Sequence, residues 1–204
     1  LVLPPMAIAK AGDWDEVSDQ AVDYYAQRAR LSGISLIITE HLYIHKQGKA
    51  HPGQMSIATD ERIDALKSLT DAVHREDAKV FAQISHAGTA ASSTVTGAVP
   101  VGPSAEFHPN QRKELPEELT KGQIQEIVDL FAEAAIRAKK AGFDGVEIHS
   151  AHGYLLNQFY SPLYNHRTDE YGCDTMENRI RLHLEIIRAI RNVLGTEHPI
   201  AIRM

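Results

Sequence analysis

Apolar residues fall along this chain in two alternating rhythms. Short runs at Leu1–Met6, Ser35–Thr39, Val80–Ser85, Gly145–His149 and Ile200–Met204 have the length and composition of buried strands. Between them the spacing is helical. The first stripe extends from about Ser18 to Leu31, with Ala21, Val22, Tyr25, Ala26 and Ala29 on one face. The second follows Asp60 and carries Ile63, Leu66, Leu69 and Val73. The third opens with a capping box, Thr120-x-x-Gln123, and carries Ile124, Ile127, Val128, Phe131, Ala135 and Ala138. Gly142 can cap its end. The fourth runs from about Met176 to Leu194, with Ile180, Leu184 and Ile187, and stops at Gly195. Each stripe reads as a face that packs on a core.

Strand and helix in strict alternation predict a parallel sheet with right-handed crossovers. A doubly wound open sheet would place glycines after the first strand to cradle a phosphate. This chain has Pro4-Pro5-Met6-Ala7-Ile8-Ala9-Lys10 there. Polar residues follow every later strand: Glu40 and His41, Gln83 and His86, His149 to Tyr154, then Arg203. Chemistry spread over the C-terminal ends of all strands is the habit of a (β/α)8 TIM barrel. The expected architecture is an incomplete barrel of about the first five strands and four helices. It forms a single partial domain over residues 1–204, truncated at both ends. In such an arc Ile37, Val80, Ile148 and Ile202 are expected to face the barrel interior, beside the gap left by later strands. The longest connection, roughly 87–119, is expected to cross the barrel mouth.

Composition narrows the function classes. Of 204 residues, 43% are hydrophobic and 24% charged, as in ordinary globular proteins, and the net charge is −6. That balance speaks against a nucleic-acid partner. No apolar run approaches the roughly 20 residues of a membrane span. Cys173 is the single cysteine, so no internal disulfide forms and a cytoplasmic location is the simplest expectation.

The stretch GVEIHSAHGYLLNQFYSP begins as a strand and then presents His149, His152 and Tyr154. Folding alone does not call for two imidazoles and a phenol at a strand end. Three readings are open. His-x-x-His, with His86 as a third ligand, suits a metal-dependent barrel hydrolase, although neither HExxH nor a cysteine pair is present. The histidines can also simply cap the strand. Or the imidazoles grip one carbonyl oxygen while the tyrosine, ordinarily protonated at neutral pH, gives a proton to carbon. That third site needs a hydride source, which only a cofactor supplies.

Several blocks carry a resemblance. They are Pro5-Met6, Ile37-Ile38-Thr39-Glu40, Gln83-Ile84-Ser85-His86-Ala87-Gly88, Ile148 to Leu156, Ser161-Pro162, Asn165 to Gly172, and Glu177-Asn178-Arg179. Together, and in this order, the chain resembles the Old Yellow Enzyme family of NADH:flavin oxidoreductases over its whole length. Pro4-Pro5-Met6-Ala7 with Glu40-His41 is most similar to the bacterial branch of 2,4-dienoyl-CoA reductases and bile-acid-pathway oxidoreductases. The resemblance implies an FMN-binding barrel, with Pro5, Met6 and Ala7 lining the flavin. The backbone near Glu40 and His41 would approach the isoalloxazine ring, Gln83 would bond its pyrimidine edge, and Arg203 would sit near N1 and O2. His149 and His152 would hold a substrate carbonyl, and Tyr154 would protonate carbon.

The implied reaction passes hydride from NADH or NADPH through FMN to a small-molecule activated alkene: an enone, enoate or enoyl thioester. The complete protein is expected to be a homo-oligomer, and any iron–sulfur cluster would lie in sequence beyond Met204. The alternative is a non-catalytic half-barrel or assembly piece. Arg167, Asp169 and Arg179 are expected to form a polar network tying the post-strand loop to the next helix, His86 to brace its loop, and Cys173 to be incidental. The chain departs from the family pattern at Ala7, whose methyl cannot donate to the flavin, and at Thr89, where many relatives carry Arg. The amides and Arg that hold the FMN phosphate are expected in later strands.

Overall fold

The computed structural model describes residues 1–31, 33–109 and 114–204. In chain order the elements are β1 (Val2–Leu3), α1 (Asp19–Ala29), β2 (Leu36–Tyr43), α2 (Ile63–His74), β3 (Lys79–Ser85), α3 (Ser93–Thr96), β4 (Val101–Gly102), β5 (Glu117–Glu118), α4 (Lys121–Lys140), β6 (Gly145–His149), α5 (Leu155–Tyr160), α6 (Met176–Leu194) and β7 (Ile200–Arg203). The main sheet has the order β1-β2-β3-β6-β7, every pair parallel. Strand order follows chain order without reversal. A doubly wound sheet reverses direction at a switch point, so this progression belongs to a barrel. The chain forms an open arc of it.

The helices start and stop where local chemistry directs. Ser18 caps α1, its hydroxyl accepting from the Ala21 N–H at 3.2 Å. The expected capping box forms at α4, with Thr120 Oγ1 accepting from the Gln123 N–H and Gln123 Oε1 from the Thr120 N–H. Gly142 follows with φ +88°, a conformation costly for residues with a Cβ. Thr175 caps α6, and Gly195 ends it. Along α4 the predicted stripe of Ile124, Ile127, Val128, Phe131, Ala135 and Ala138 is buried. The long connection holds α3, a single 3-10 turn at Gly88–Ala90, and the small β4–β5 parallel pair. Residues 110–113 of that connection lie outside the described residues.

Two expectations change. Ile37, Val80 and Ile148 are fully buried, but they share the sheet face that packs on the helices. The interior-facing positions are instead Gln83, Glu147, His149 and Arg203, which the register brings side by side: Gln83 opposite Glu147 and His149 opposite Arg203. β6 alternates Val146-Glu147-Ile148-His149, so its polar positions mark the interior and its apolar ones the helix face. Ile202 is 37% exposed on β7 at the sheet edge.

The second change is that β2 does not stop at Thr39 but continues through Tyr43. Within it the register slips. Ile38 pairs with Phe81, and the next pair is His41 with Gln83, so three steps on β2 oppose two on β3. Side chains alternate faces along a strand, so one extra residue reverses the alternation beyond it. Unbroken alternation would put His41 on the helix side with Ile37. The bulge turns it to the interior beside Gln83. Thr39 accommodates the slip, its buried hydroxyl accepting from the Gln83 N–H at 3.4 Å and donating to the Glu40 carbonyl at 3.0 Å.

Candidate active site

The C-terminal ends of the strands enclose a cleft of about 220 Å³. Pro5 and Ala7 line it from the segment after β1, His41 from the bulged β2, and Gln83 from β3. His149, His152 and Tyr154 line it from the end of β6, and Arg203 from β7. These residues come from five strands and nearly the full span of the chain. Met6, between Pro5 and Ala7, is not on this lining and is 49% exposed. A larger open depression of about 570 Å³ lies at Ile8–Gly12 and Ser18–Gln20 and shares no lining residue with the cleft.

The turn after β6 shapes the cluster. His152 has φ +60° and Gly153 has φ +71°. Two successive left-handed residues fold the chain back sharply, at a cost for His152 that the surroundings must hold. A Cβ at Gly153 would lie 3.0 Å from His108 Nε2 and from the Tyr164 hydroxyl, a tight fit added to a left-handed backbone. The result brings His152 Nδ1 to 3.4 Å from His149 Nε2. The Tyr154 ring lies 5.0 Å from that of His149, centroid to centroid, at the start of α5.

Burial sets the protonation states. It pushes His149 down to about 3 and His41 to about 4, helped in both by neighbouring imidazoles, so both rings are neutral at physiological pH. Burial also raises the Tyr154 phenol, which therefore keeps its proton. His149 Nδ1 is buried without a hydrogen-bond partner. An unbonded lone pair there is tolerable, whereas a buried unbonded N–H is costlier. The ring proton of His149 therefore belongs on Nε2, facing His152.

The flanks of the cleft are held by two carboxylates whose partners the sequence does not assign. Glu40 is fully buried, and its carboxylate accepts from the N–H groups of Ile8 (2.6 Å), Ala9 (3.1 Å) and Met55 (3.1 Å). It thus pins the segment that carries Pro5 and Ala7. Burial raises its pKa against the lowering effect of those bonds. Glu147 accepts from Gln83 Nε2 at 2.7 Å. That bond uses the amide NH2 of Gln83 and leaves Oε1 as the acceptor. The sequence places Glu40 just after a strand and Glu147 within one, with no side-chain partner for either.

Other candidates are placed elsewhere. His86 is fully buried away from the cleft, its Nδ1 accepting from the Gly88 N–H at 3.1 Å, and it braces the loop as expected. Arg167 and Asp169 form a bidentate pair at 3.0 and 2.6 Å. Arg167 also donates to the carbonyls of Pro103 and Leu119. The pair therefore clamps the loop to the β4–β5 pair and not to the next helix. Arg179, on α6, does tie the loop to that helix by donating to the Cys173 carbonyl, but it shares no bond with the Arg167–Asp169 pair. Among the described residues no group of three or more His, Cys, Asp or Glu is placed to hold a metal ion.

The residues present fit a flavin ring. Small apolar groups at Pro5 and Ala7, an amide acceptor at Gln83 and a fixed cation at Arg203 suit a flat heteroaromatic ring with N–H and carbonyl edges. Arg203 is the only fixed cation on the cleft lining, so these side chains account for a ring and not for a phosphate ester.

Over residues 1–204 the sequence matches the NADH:flavin oxidoreductase / NADH oxidase family. It is 43% identical over 208 residues to an NADH oxidase of Thermoanaerobacter brockii, covering all of this chain and 31% of that protein. The fold superposes with a TM-score of 0.91 and 34% identity on an old yellow enzyme homologue from Zymomonas mobilis, covering 100% of this chain and 58% of the other. It superposes with a TM-score of 0.94 and 30% identity on 2-naphthoyl-CoA reductase in complex with 2-naphthoyl-CoA, covering 100% and 32%. The chain thus spans from about a third to about three-fifths of the length of these three proteins.

Proposed function

The chain belongs to the NADH:flavin oxidoreductase / NADH oxidase family, and from that premise we propose that it forms the substrate-side arc of an FMN-dependent ene-reductase. The substrates proposed are activated alkenes: enones, enoates or enoyl thioesters. FMN, when bound, supplies the hydride it has received from NADH or NADPH. Pro5, Ala7 and the backbone at His41 would lie against its ring, with Met6 at the margin. Gln83 Oε1 would accept from the ring's N–H edge. Arg203 would place positive charge where reduction adds electron density.

The chain's own groups then do three things. His149 Nε2–H and His152 Nδ1–H both donate to one carbonyl oxygen of the substrate, which polarises the conjugated alkene. Tyr154 holds a proton beside that position and gives it to carbon. The neutral His149 ring keeps the oxygen bound without competing for the phenolic proton.

The observation that carries this reading is the 3.4 Å approach of His149 Nε2 and His152 Nδ1 with Tyr154 alongside. Such a gap holds at most one proton between the two ring nitrogens. As a pair of donors to a guest oxygen, both are satisfied. The test is Tyr154→Phe in the full-length protein, followed by stopped flow. Reduction of the flavin by nicotinamide should be nearly unchanged, while alkene turnover falls by roughly 10²–10⁴-fold. Equal slowing of both half-reactions would contradict the assignment.

A further inference from the structure

Gln54 is fully buried beneath the cleft, and its hydrogen bonds fix the orientation of its amide. Its Oε1 accepts from the Ala50 N–H at 2.7 Å. Its Nε2 lies 2.7 Å from the His41 carbonyl and 2.7 Å from His41 Nδ1. Flipping the amide would set NH2 against a backbone N–H and oxygen against a backbone carbonyl, two repulsive contacts in one step. The NH2 group therefore faces His41, and His41 Nδ1 can only accept. Burial keeps this ring neutral, so its one proton sits on Nε2, on the edge away from Gln54.

His41 lines the cleft, with its ring edge-on to that of Tyr154 at 5.3 Å and tilted to that of His149 at 5.8 Å. The bulge in β2 aims it there. With the His149/His152 pair proposed above to take both lone pairs of one carbonyl oxygen, His41 Nε2–H is a third donor in the cleft. The third asks for another acceptor atom.

We propose that His41, locked as its Nε2–H tautomer by Gln54, binds a second acceptor oxygen of the substrate, so that the site selects alkenes activated by a two-oxygen group, a carboxylate above all, over those activated by a lone ketone. This deepens the reading above and rests on it. His41 touches the ligand, and Gln54 is a positioning residue that acts through it.

The test uses full-length, FMN-bound protein and two saturated, unreactive probes of matched length, pentanoate and 2-hexanone, titrated against the flavin absorbance. His41→Phe keeps a ring without a donor and should weaken pentanoate by about tenfold while moving 2-hexanone less than about twofold. His41→Gln restores a donor and should recover part of the loss. Long-range ¹H–¹⁵N spectra of histidine-labelled protein should place the His41 proton on Nε2. In Gln54→Leu that proton should redistribute toward Nδ1, with weaker pentanoate binding. A proton on Nδ1 in the parent protein, or equal losses for both probes in His41→Phe, overturns the inference. The broader reading fails separately. In that case His149→Ala/His152→Ala leaves 2-hexanone binding unchanged, and the His41 proposal falls with it.

Discussion

Replacing Glu40 should loosen the cleft in a pattern that its hydrogen bonds dictate. Oε2 accepts from the Ile8 and Ala9 N–H groups, and Oε1 from the Met55 N–H. In Glu40→Gln the amide retains one oxygen. Turning that oxygen toward Ile8 and Ala9 preserves two bonds, while the NH2 meets the Met55 N–H head-on. A buried donor left unsatisfied costs roughly 1–3 kcal/mol. Taking about 2 kcal/mol, the Met55 amide should exchange with solvent about 30-fold faster, with Ile8 and Ala9 nearly unchanged. Glu40→Leu removes all three acceptors and should release all three amides. The gross loss of three charge-assisted bonds is roughly 5–9 kcal/mol, offset by several kcal/mol of carboxylate desolvation, for a net near ~3 kcal/mol. FMN should then be retained poorly, because Pro5 and Ala7 sit on the freed segment. Hydrogen exchange read by mass spectrometry on peptides spanning 1–12 and 50–58 makes the measurement. Unchanged protection of Ile8 and Ala9 in Glu40→Leu would refute the claim that this carboxylate holds the segment.

Acid should destabilise the fold through its buried imidazoles. Burial pushes His86 and His149 down to about 3 and His41 and His183 to about 4, from 6.5. The unfolded chain therefore binds more protons below pH 6.5. The stability these groups contribute is complete above that pH and is lost as pH falls toward 3–4. At pH 5.5 the four together cost roughly 5 kcal/mol relative to neutrality. The raised carboxyls of Glu40 and Glu147 act in the opposite sense, favouring the fold at low pH. Guanidinium titrations at pH 7.5 and 5.5 measure the difference, and coincident curves would count against neutral buried rings. Arg167→Lys keeps the charge but loses the bidentate geometry to Asp169 and most of the carbonyl bonds. It should cost about 2–4 kcal/mol and expose the β4–β5 connection to limited proteolysis, whereas parental resistance would show that the clamp is dispensable.

Most strands and long helices were legible because their signals are local, although β1 is only Val2–Leu3 and α6 buries Leu182, Ile186 and Ile190 in place of Ile180, Leu184 and Ile187. The Thr120/Gln123 box, the stripe from Ile124 to Ala138 and the stops at Gly142 and Gly195 each specify one element and agree with one another. The site residues at the strand ends were legible as polar groups where a barrel concentrates chemistry. The short helix α5 was not, because Leu155–Tyr160 reads as a continuation of the histidine motif. The sheet face of Ile37, Val80 and Ile148 was misread because the apolar positions were assigned to the interior, which here carries the polar Gln83, Glu147 and His149. The bulge in β2 left no periodic trace, yet it decides that His41 faces the cleft. Gln54 lies 13 residues from His41 in a loop without pattern, so only the folded chain joins them. The clamp of Arg167 on Pro103 and Leu119 is non-local in the same way.

The central claim is that His149 and His152 together hold an oxygen over a flavin bound against Gln83 and Arg203. Titrating the full-length, FMN-bound protein with a para-substituted phenol measures it most directly. The phenol oxygen should sit between the two rings and its aromatic face on the flavin, giving a long-wavelength charge-transfer band. In His149→Ala/His152→Ala two donors are lost, each worth roughly 1–3 kcal/mol, and affinity should fall by about 30-fold or more with loss of the band. A double variant that binds phenol as tightly as the parent, with the band intact, would contradict the account.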